Sequence, residues 1–472
     1  MIDISDYSEA EAPLRFFEEF SRIPHGSGNT KMIADYLVDF ARARSLEVLR
    51  DEYDNVLIRK PATRGYESRP GIIFQGHLDM VAEKKPGAEI DMTTDGLTLY
   101  RDGDYLRARN TTLGGDDGVA LAYALAVLDD DNIPHPSFEA LFTSDEETGL
   151  IGATNLSPEW VKGRLLINID SDLEGIFTVG CAGGVRSDIE LHCEREERST
   201  HEVYKLFFSG FKGGHSGVEI DKGRVNAIKA LTEALKECGV TVVSINGGNA
   251  DNAIPRDVSC SLLCDDKEKL ISALEGIKSK YADIEPDICY TLDIAKEECE
   301  PMTKNSSDRV ISLLSELPSG VIAMCKSPEG LVETSLNLGI LRCSYDTLSA
   351  SFSVRSAKGK EKKALCERLS IIAKKYGASY GERGEYPAWE YREKSHLSDV
   401  MAKIYNDMYG KAPEIVIIHA GLECGILSEK LEGLDCVSIG PDNYDIHTTE
   451  EHLSIPSFAR VWEFLKKVLS EV

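Results

Sequence analysis

Nowhere in this 472-residue chain is there a run of the roughly 20 consecutive apolar residues that would cross a bilayer. The longest apolar stretch, residues 119–128, falls far short of it. A basic segment followed by an apolar one is also missing from the acidic, amphipathic N-terminus, so no secretory signal is expected. The 12 cysteines contain no Cys-x-x-Cys pair, and reduced, mostly buried thiols of a cytoplasmic protein are the expectation. The sequons at Asn110 and Asn305 then carry no weight. Positive charge is scarce: 53 Lys and Arg against 80 Asp and Glu leave a net charge of −27. That balance argues against nucleic acid or an anionic membrane as partner. Low-complexity tracts are lacking too, and what remains is an ordinary globular composition.

The length exceeds one comfortable core. Helix-period apolar positions mark residues 10–22 and 31–44, and short strands are expected at 48–49 and 55–59. Residues 71–75 form a buried strand running into Gly76-His77. Residues 117–128 are apolar nearly all round, so that helix should be buried. Core strands follow at 138–142 and 165–169. Strands alternating with helices predict an α/β sheet with helices on both faces. From about residue 185 the texture changes: alternating strands at 203–210, 259–264 and 347–354 are followed by helices at 224–238, 268–281 and 360–376. These strand–helix units predict an inserted α+β domain with an antiparallel sheet. Beyond Tyr386-Pro387 the first pattern resumes, with helices at 397–409 and 457–469 and strands at 414–419 and 436–440.

Polar residues collect where the strands of the α/β part end, the usual place for its sites. Gly76-His77-Leu78-Asp79 puts a His and an Asp two apart, on one side of an extended segment. A carboxylate so placed can fix a metal-bound imidazole; a loop His beside a capping Asp is the alternative. Leu113-Gly114-Gly115-Asp116-Asp117-Gly118 opens the buried helix. One Asp there would be a cap; the doubled acid and three glycines suggest more. Thr143-Ser144-Asp145-Glu146-Glu147-Thr148-Gly149 sets three acids together, which repel unless a cation neutralises them or water solvates them. Asn168-Ile169-Asp170-Ser171-Asp172 and Asp445-Ile446-His447 complete the set; each alone reads equally as a surface segment.

In this order the segments resemble the M20 metallopeptidase family, over essentially the whole chain. Gln75-Gly-His-Leu-Asp-Met-Val, Asn110-Thr-Thr-Leu-Gly-Gly-Asp-Asp-Gly, His419-Ala-Gly-Leu-Glu-Cys-Gly and the long insertion are most similar to its aminoacylhistidine dipeptidases, which cleave Xaa-His dipeptides. The family's usual Gly-Ala-Asp reads Gly114-Gly115-Asp116 here. The resemblance implies a discontinuous α/β zinc-peptidase domain with a mixed sheet, residues 1–184 and 387–472, and an inserted α+β lid, 185–386, through which a homodimer forms. It implies two divalent ions, Zn²⁺ with Mn²⁺ or Co²⁺ as alternatives. Asp116 would bridge them, His77 and Asp170 completing one ion's ligands and Glu147 and His447 the other's. Asp79 would orient His77, Glu146 would be the general base, and the Asp116–Asp117 peptide would be cis.

In the lid, Gly213-Gly-His215-Ser-Gly is not a Gly-x-Ser-x-Gly elbow, so a serine nucleophile is not expected. By resemblance His215 stabilises an oxyanion, with Asn252 beside it. Arg355 clamps the terminal carboxylate of a small peptide substrate, a bidentate task suited to a guanidinium, and Gly421 lines the substrate pocket. Gly184 and Tyr386 would mark a hinge. The competing readings are another M20 activity (tripeptidase, carboxypeptidase or amidohydrolase), against which the long insertion speaks, and a non-catalytic metal-binding protein, against which the intact Glu146 speaks.

Overall fold

The computed structural model describes residues 2, 5–326 and 330–472. They divide into two compact units: 1–180 with 391–417 and 422–472, and 181–390 with 418–421.

The first unit is built on an eight-stranded mixed sheet. Strand Ile72–His77 lies at its centre, parallel to Phe138–Thr143 on one side and to Leu165–Asn168 on the other. Asp435–Ser438 continues the parallel set. Val56–Lys60 and Glu47–Arg50 extend one edge antiparallel. Because the central strands are parallel, their C-terminal ends emerge side by side, and the loops that follow must converge.

The helix Gly115–Asp129 packs on Ile72–His77 and on the helix Glu11–Phe20. Its residues from Asp117 to Leu128 are all buried, as its all-round apolar pattern predicts. Tyr123 stacks on Phe458 with ring centroids 4.6 Å apart and donates its hydroxyl to the Phe458 carbonyl at 2.8 Å. That clamps the helix to the C-terminal helix Ile455–Glu471. Gly76 is where helix and strand come closest: a Cβ there would sit 2.2 Å from Asp117 Oδ2 and 2.3 Å from Ala120 Cβ.

The second unit carries a nine-stranded sheet whose described pairings are antiparallel. Helices Ala227–Leu235, Lys267–Tyr281, Lys304–Glu316 and Gly359–Lys375 share its apolar core. The α+β pattern is therefore present, with local differences. The helix expected at 224–238 forms over Ala227–Leu235, because the Asn226 side chain accepts from the Ile228 and Lys229 amides and starts it there. Strand Val332–Cys343 has no local pattern to mark it: Glu333, Thr334, Ser335 and Asn337 are buried in it, which erases any polar–apolar alternation. Residues 418–421 pack with the second unit, although they follow the point where the first resumes. The Ala182 amide donates to the Ile418 carbonyl at 3.0 Å, and His419 Nε2 lies 2.7 Å from Ser335 Oγ.

Gly76→Ala should cost about 1–3 kcal/mol by overpacking the strand–helix contact, read as a shift of the urea midpoint at constant slope. A variant as stable as the parent would contradict that contact.

Candidate metal centre

Three parallel strands and two loops deliver the candidate ligands. His77 ends its strand and is buried, 2 % exposed. Its Nδ1 donates to the Asp79 carbonyl at 2.8 Å, which leaves Nε2 to face the carboxylates of Asp116 and Asp170. The Asp79 carboxylate lies farther, 3.5 Å from Nδ1, and is otherwise engaged. It accepts from the Glu146 amide at 3.0 Å and from Ser27 Oγ at 2.8 Å. Asp79 thus orients the imidazole through its main chain and the acidic loop through its side chain.

The doubled acid at 116–117 divides its work. Asp117 does what a helix-start acid ordinarily does: its carboxylate accepts from the Ala120 amide at 3.4 Å, and also from the His77 amide at 3.2 Å. Asp116 is turned out of the helix by non-helical dihedrals, and the peptide between the two is cis. Asp116 Oδ1 lies 2.9 Å from His77 Nε2, and Oδ2 lies 3.1 Å from His447 Nε2. Each oxygen of one carboxylate therefore addresses a different imidazole. Asp170 Oδ1 is 3.7 Å from His77 Nε2, and Glu147 Oε1 is 2.8 Å from His447 Nε2. That last oxygen is buried and makes no hydrogen bond, close to the ring nitrogen but not aligned with it.

Ligand atoms of His77, Asp116 and Asp170 lie within 4.8 Å of one another, as do those of Asp116, Glu147 and His447. A third trio, His77, Glu146 and Glu147, meets the same limit. Asp116 is common to the first two. Imidazole and carboxylate donors without a thiolate suit zinc and its neighbours, and the unbonded Glu147 oxygen is what a cation between these groups would use. Asp145, Asp445 and His447 have φ of 51°, 53° and 62°. Left-handed backbone is uncommon outside glycine and gathers at functional sites.

The charges are in tension without a cation. Burial opposes a charge on His77, but Asp116, Asp170 and Asp79 outweigh it and hold the proton well above the usual range. Asp116 and then Glu147 raise His447 to about 10. Burial, helped by repulsion from Asp116, pushes Asp170 up to about 6 and Asp172 up to about 8. Burial also drives Glu146 well up, with Asp170, Glu423 and Asp116 adding to it against His77.

One supporting residue has no signal in the sequence patterns. Glu451 accepts three successive amides, Leu113 at 2.7 Å, Gly114 at 3.0 Å and Gly115 at 2.8 Å. It grips the loop that presents Asp116, where Gly114 takes a φ of 70°. Its place four residues after His447, in a run of polar residues, looks like surface; it is 3 % exposed.

The second unit gathers most of its candidates by itself. His215 Nδ1 accepts from the Gly217 and Val218 amides at 3.2 and 3.3 Å, so its proton resides on Nε2. Burial, then Arg355, lowers its pKa. Arg355 Nη1 donates to Tyr386 Oη at 3.1 Å, and Gly421 lies under the Tyr386 ring, where a Cβ would approach to 2.7 Å. Asn252 joins through its main chain: its carbonyl accepts from the Ser216 amide at 2.8 Å, while the residue itself is exposed.

Residues 73–471 match the model of peptidase family M20/M25/M40. The chain belongs to that family and is a hydrolase acting on peptide bonds. It is 37% identical over 467 residues to the cytosol non-specific dipeptidase of Escherichia coli, covering 97% of this chain and 96% of the relative. The crystal structure of aminoacylhistidine dipeptidase from Vibrio alginolyticus superposes with a TM-score of 0.92 at 34% identity, over 98% of this chain and 96% of that one. Aminopeptidase PepT from Bacillus cereus, 17% identical with a TM-score of 0.56 over 98% of both chains, shares the fold alone. No helix among the described residues is long and apolar enough to cross a membrane.

Between pH 6.5 and 8 the metal-free protein should lose stability as pH rises. In that window Asp172 (folded value about 8) and His447 (about 10) hold protons that the unfolded chain has released. Buried His419, lowered to about 4 by burial and Arg355, works the other way only at the lower edge of this window, where the unfolded imidazole is still releasing its proton. Thermal melts of chelated and zinc-loaded protein should therefore diverge with rising pH. A gap that narrows toward pH 8 would contradict the charge balance described.

Proposed function

We propose that the chain is a two-metal dipeptidase that hydrolyses dipeptides, Xaa-His dipeptides among the best. The observation that carries this is that Asp116 belongs both to a trio with His77 and Asp170 and to a trio with Glu147 and His447, one oxygen toward each histidine. His77, Asp116 and Asp170 would hold one ion, and Asp116, Glu147 and His447 the other, with Zn²⁺ first and Mn²⁺ or Co²⁺ as substitutes. Bound there, two divalent cations supply Lewis-acid polarisation of the scissile carbonyl and acidify a water.

The chain's own groups do the rest. Glu146, its carboxyl made more basic by burial, would take a proton and return it to the leaving amine. Asp79 holds the Glu146 amide and so fixes where that base stands. His215, with its proton on Nε2, donates to the developing oxyanion, and Asn252 assists it. Arg355 pairs with the terminal carboxylate of the dipeptide, and Gly421 offers backbone where no side chain fits. The second unit thus serves as a lid, and it is also the surface through which the chain would form a homodimer; Val321, Ile322 and Met324 are exposed on its strand Gly320–Met324. The E. coli relative's name supports a cytoplasmic location, and it favours a second reading of breadth, a dipeptidase that tolerates many side chains.

Glu146→Gln should lower kcat by about 10²–10⁴-fold with metal content unchanged. In a substrate panel, Xaa-His dipeptides should outrun tripeptides and N-acetyl amino acids; equal rates across a range of dipeptides would select the broad reading, and tripeptides cleaved as well would reject both.

A further inference from the structure

Beneath the candidate ligands lies a second tier of polar side chains on the same three strands. Gln75 precedes His77 by two residues and Asn168 precedes Asp170 by two; side chains two apart on an extended segment share a side. Thr143 ends the strand that leads into Glu146 and Glu147. All three residues are fully buried, at 0 % exposure, as is Glu423, the first residue of the helix Glu423–Lys430. Polar groups this deep in a sheet are costly unless joined to one another. They are joined: Asn168 Nδ2 donates to Gln75 Oε1 at 2.7 Å, and Gln75 Nε2 donates to Glu423 Oε2 at 2.6 Å. Thr143 Oγ1 donates to the same Glu423 oxygen at 2.6 Å.

The hydrogen bonds alone do not require a carboxylate. Both fall on Oε2, and Oε1 is buried without a partner, so the amide oxygen of a glutamine would accept the same pair. A buried negative charge with no ion pair costs several kcal/mol even after the protein relaxes around it. Among the described residues no Lys or Arg pairs with Glu423. The charges that act on it belong to the centre above: His77 draws on it and Asp170 repels it. A negative charge so placed is unfavourable until cations arrive, and favourable afterwards.

Resting on the two-metal reading, we propose that Glu423 is a positioning residue of the metal centre. Its charge raises the affinity for divalent cations, and through Gln75 and Thr143 it aligns the strand ends that carry His77 and the Glu146–Glu147 loop. Supporting groups of this kind typically alter metal affinity by about 10–100-fold.

Glu423→Gln keeps the acceptor and removes the charge, which separates the two roles. Zinc affinity is measured on the full-length, metal-depleted chain by chelator competition above pH 7, alongside melting of the metal-free protein. The expected result is a dissociation constant raised at least about tenfold, with the metal-free variant melting at or above the parent. Glu423→Asp, which keeps the charge, should bind zinc more tightly than Glu423→Gln. Unchanged affinity in the Gln variant would overturn the proposal. So would a Gln variant that does not fold or melts below the parent without metal, because the carboxylate would then be a structural requirement. A parent chain that binds no zinc would overturn the two-metal reading itself, whereas two ions bound with equal affinity by parent and variant would overturn the role of Glu423 only.

Discussion

Asp116 sits with one oxygen 2.9 Å from His77 Nε2 and the other 3.1 Å from His447 Nε2, although the two histidines are separated by most of the chain. His77 has its Nδ1 proton committed to the Asp79 carbonyl, so Nε2 is the nitrogen it turns toward Asp116. One carboxylate and two imidazoles stand this close only with positive charge among them, carried by the ring protons or by cations in their place. That requirement organises the surroundings. The parallel strands bring three loops to one edge, the buried helix starts with an acid turned out of it, and Glu451 holds the loop by three amides.

The groups around the centre form an electrostatic unit more than a list of ligands. Asp170, Asp172, Glu146 and Glu423 are all pushed toward protonation, with burial the largest cause for each. A fold that buries this many acids within reach of two histidines is under tension that solvent cannot relieve. Cations bound there would relieve it, and the same low-dielectric setting would strengthen their pull on a substrate carbonyl. Glu146 is affected twice: burial raises its carboxyl, and its backbone is tied down by Asp79.

Much of this is legible in the residues alone, for a physical reason. Strand ends present side chains at fixed spacing, so His77 with Asp79 and Asn168 with Asp170 announce shared sides, and a helix apolar all round announces its own burial. Polar residues in the interior announce nothing. Glu451 lies in a run of polar residues that reads as surface, and Glu423 enters only as part of the segment His419-Ala-Gly-Leu-Glu-Cys-Gly; their partners, distant in sequence, reveal both as buried. The same blindness hid strand Val332–Cys343, whose buried Glu, Thr, Ser and Asn break the alternation that marks strands elsewhere. Residues 418–421 pack with the second unit because of a hydrogen bond to Ala182 and the approach of His419 to Ser335, neither visible in local pattern.

The sharing of Asp116 is open to direct measurement by metal content per chain in three purified variants. If one carboxylate serves two ions, Asp116→Ala loses both, whereas His77→Ala and His447→Ala each retain one tightly bound ion. An Asp116→Ala chain that still carries two ions would show that the sites are independent, and the bridging role assigned to this side chain would be wrong.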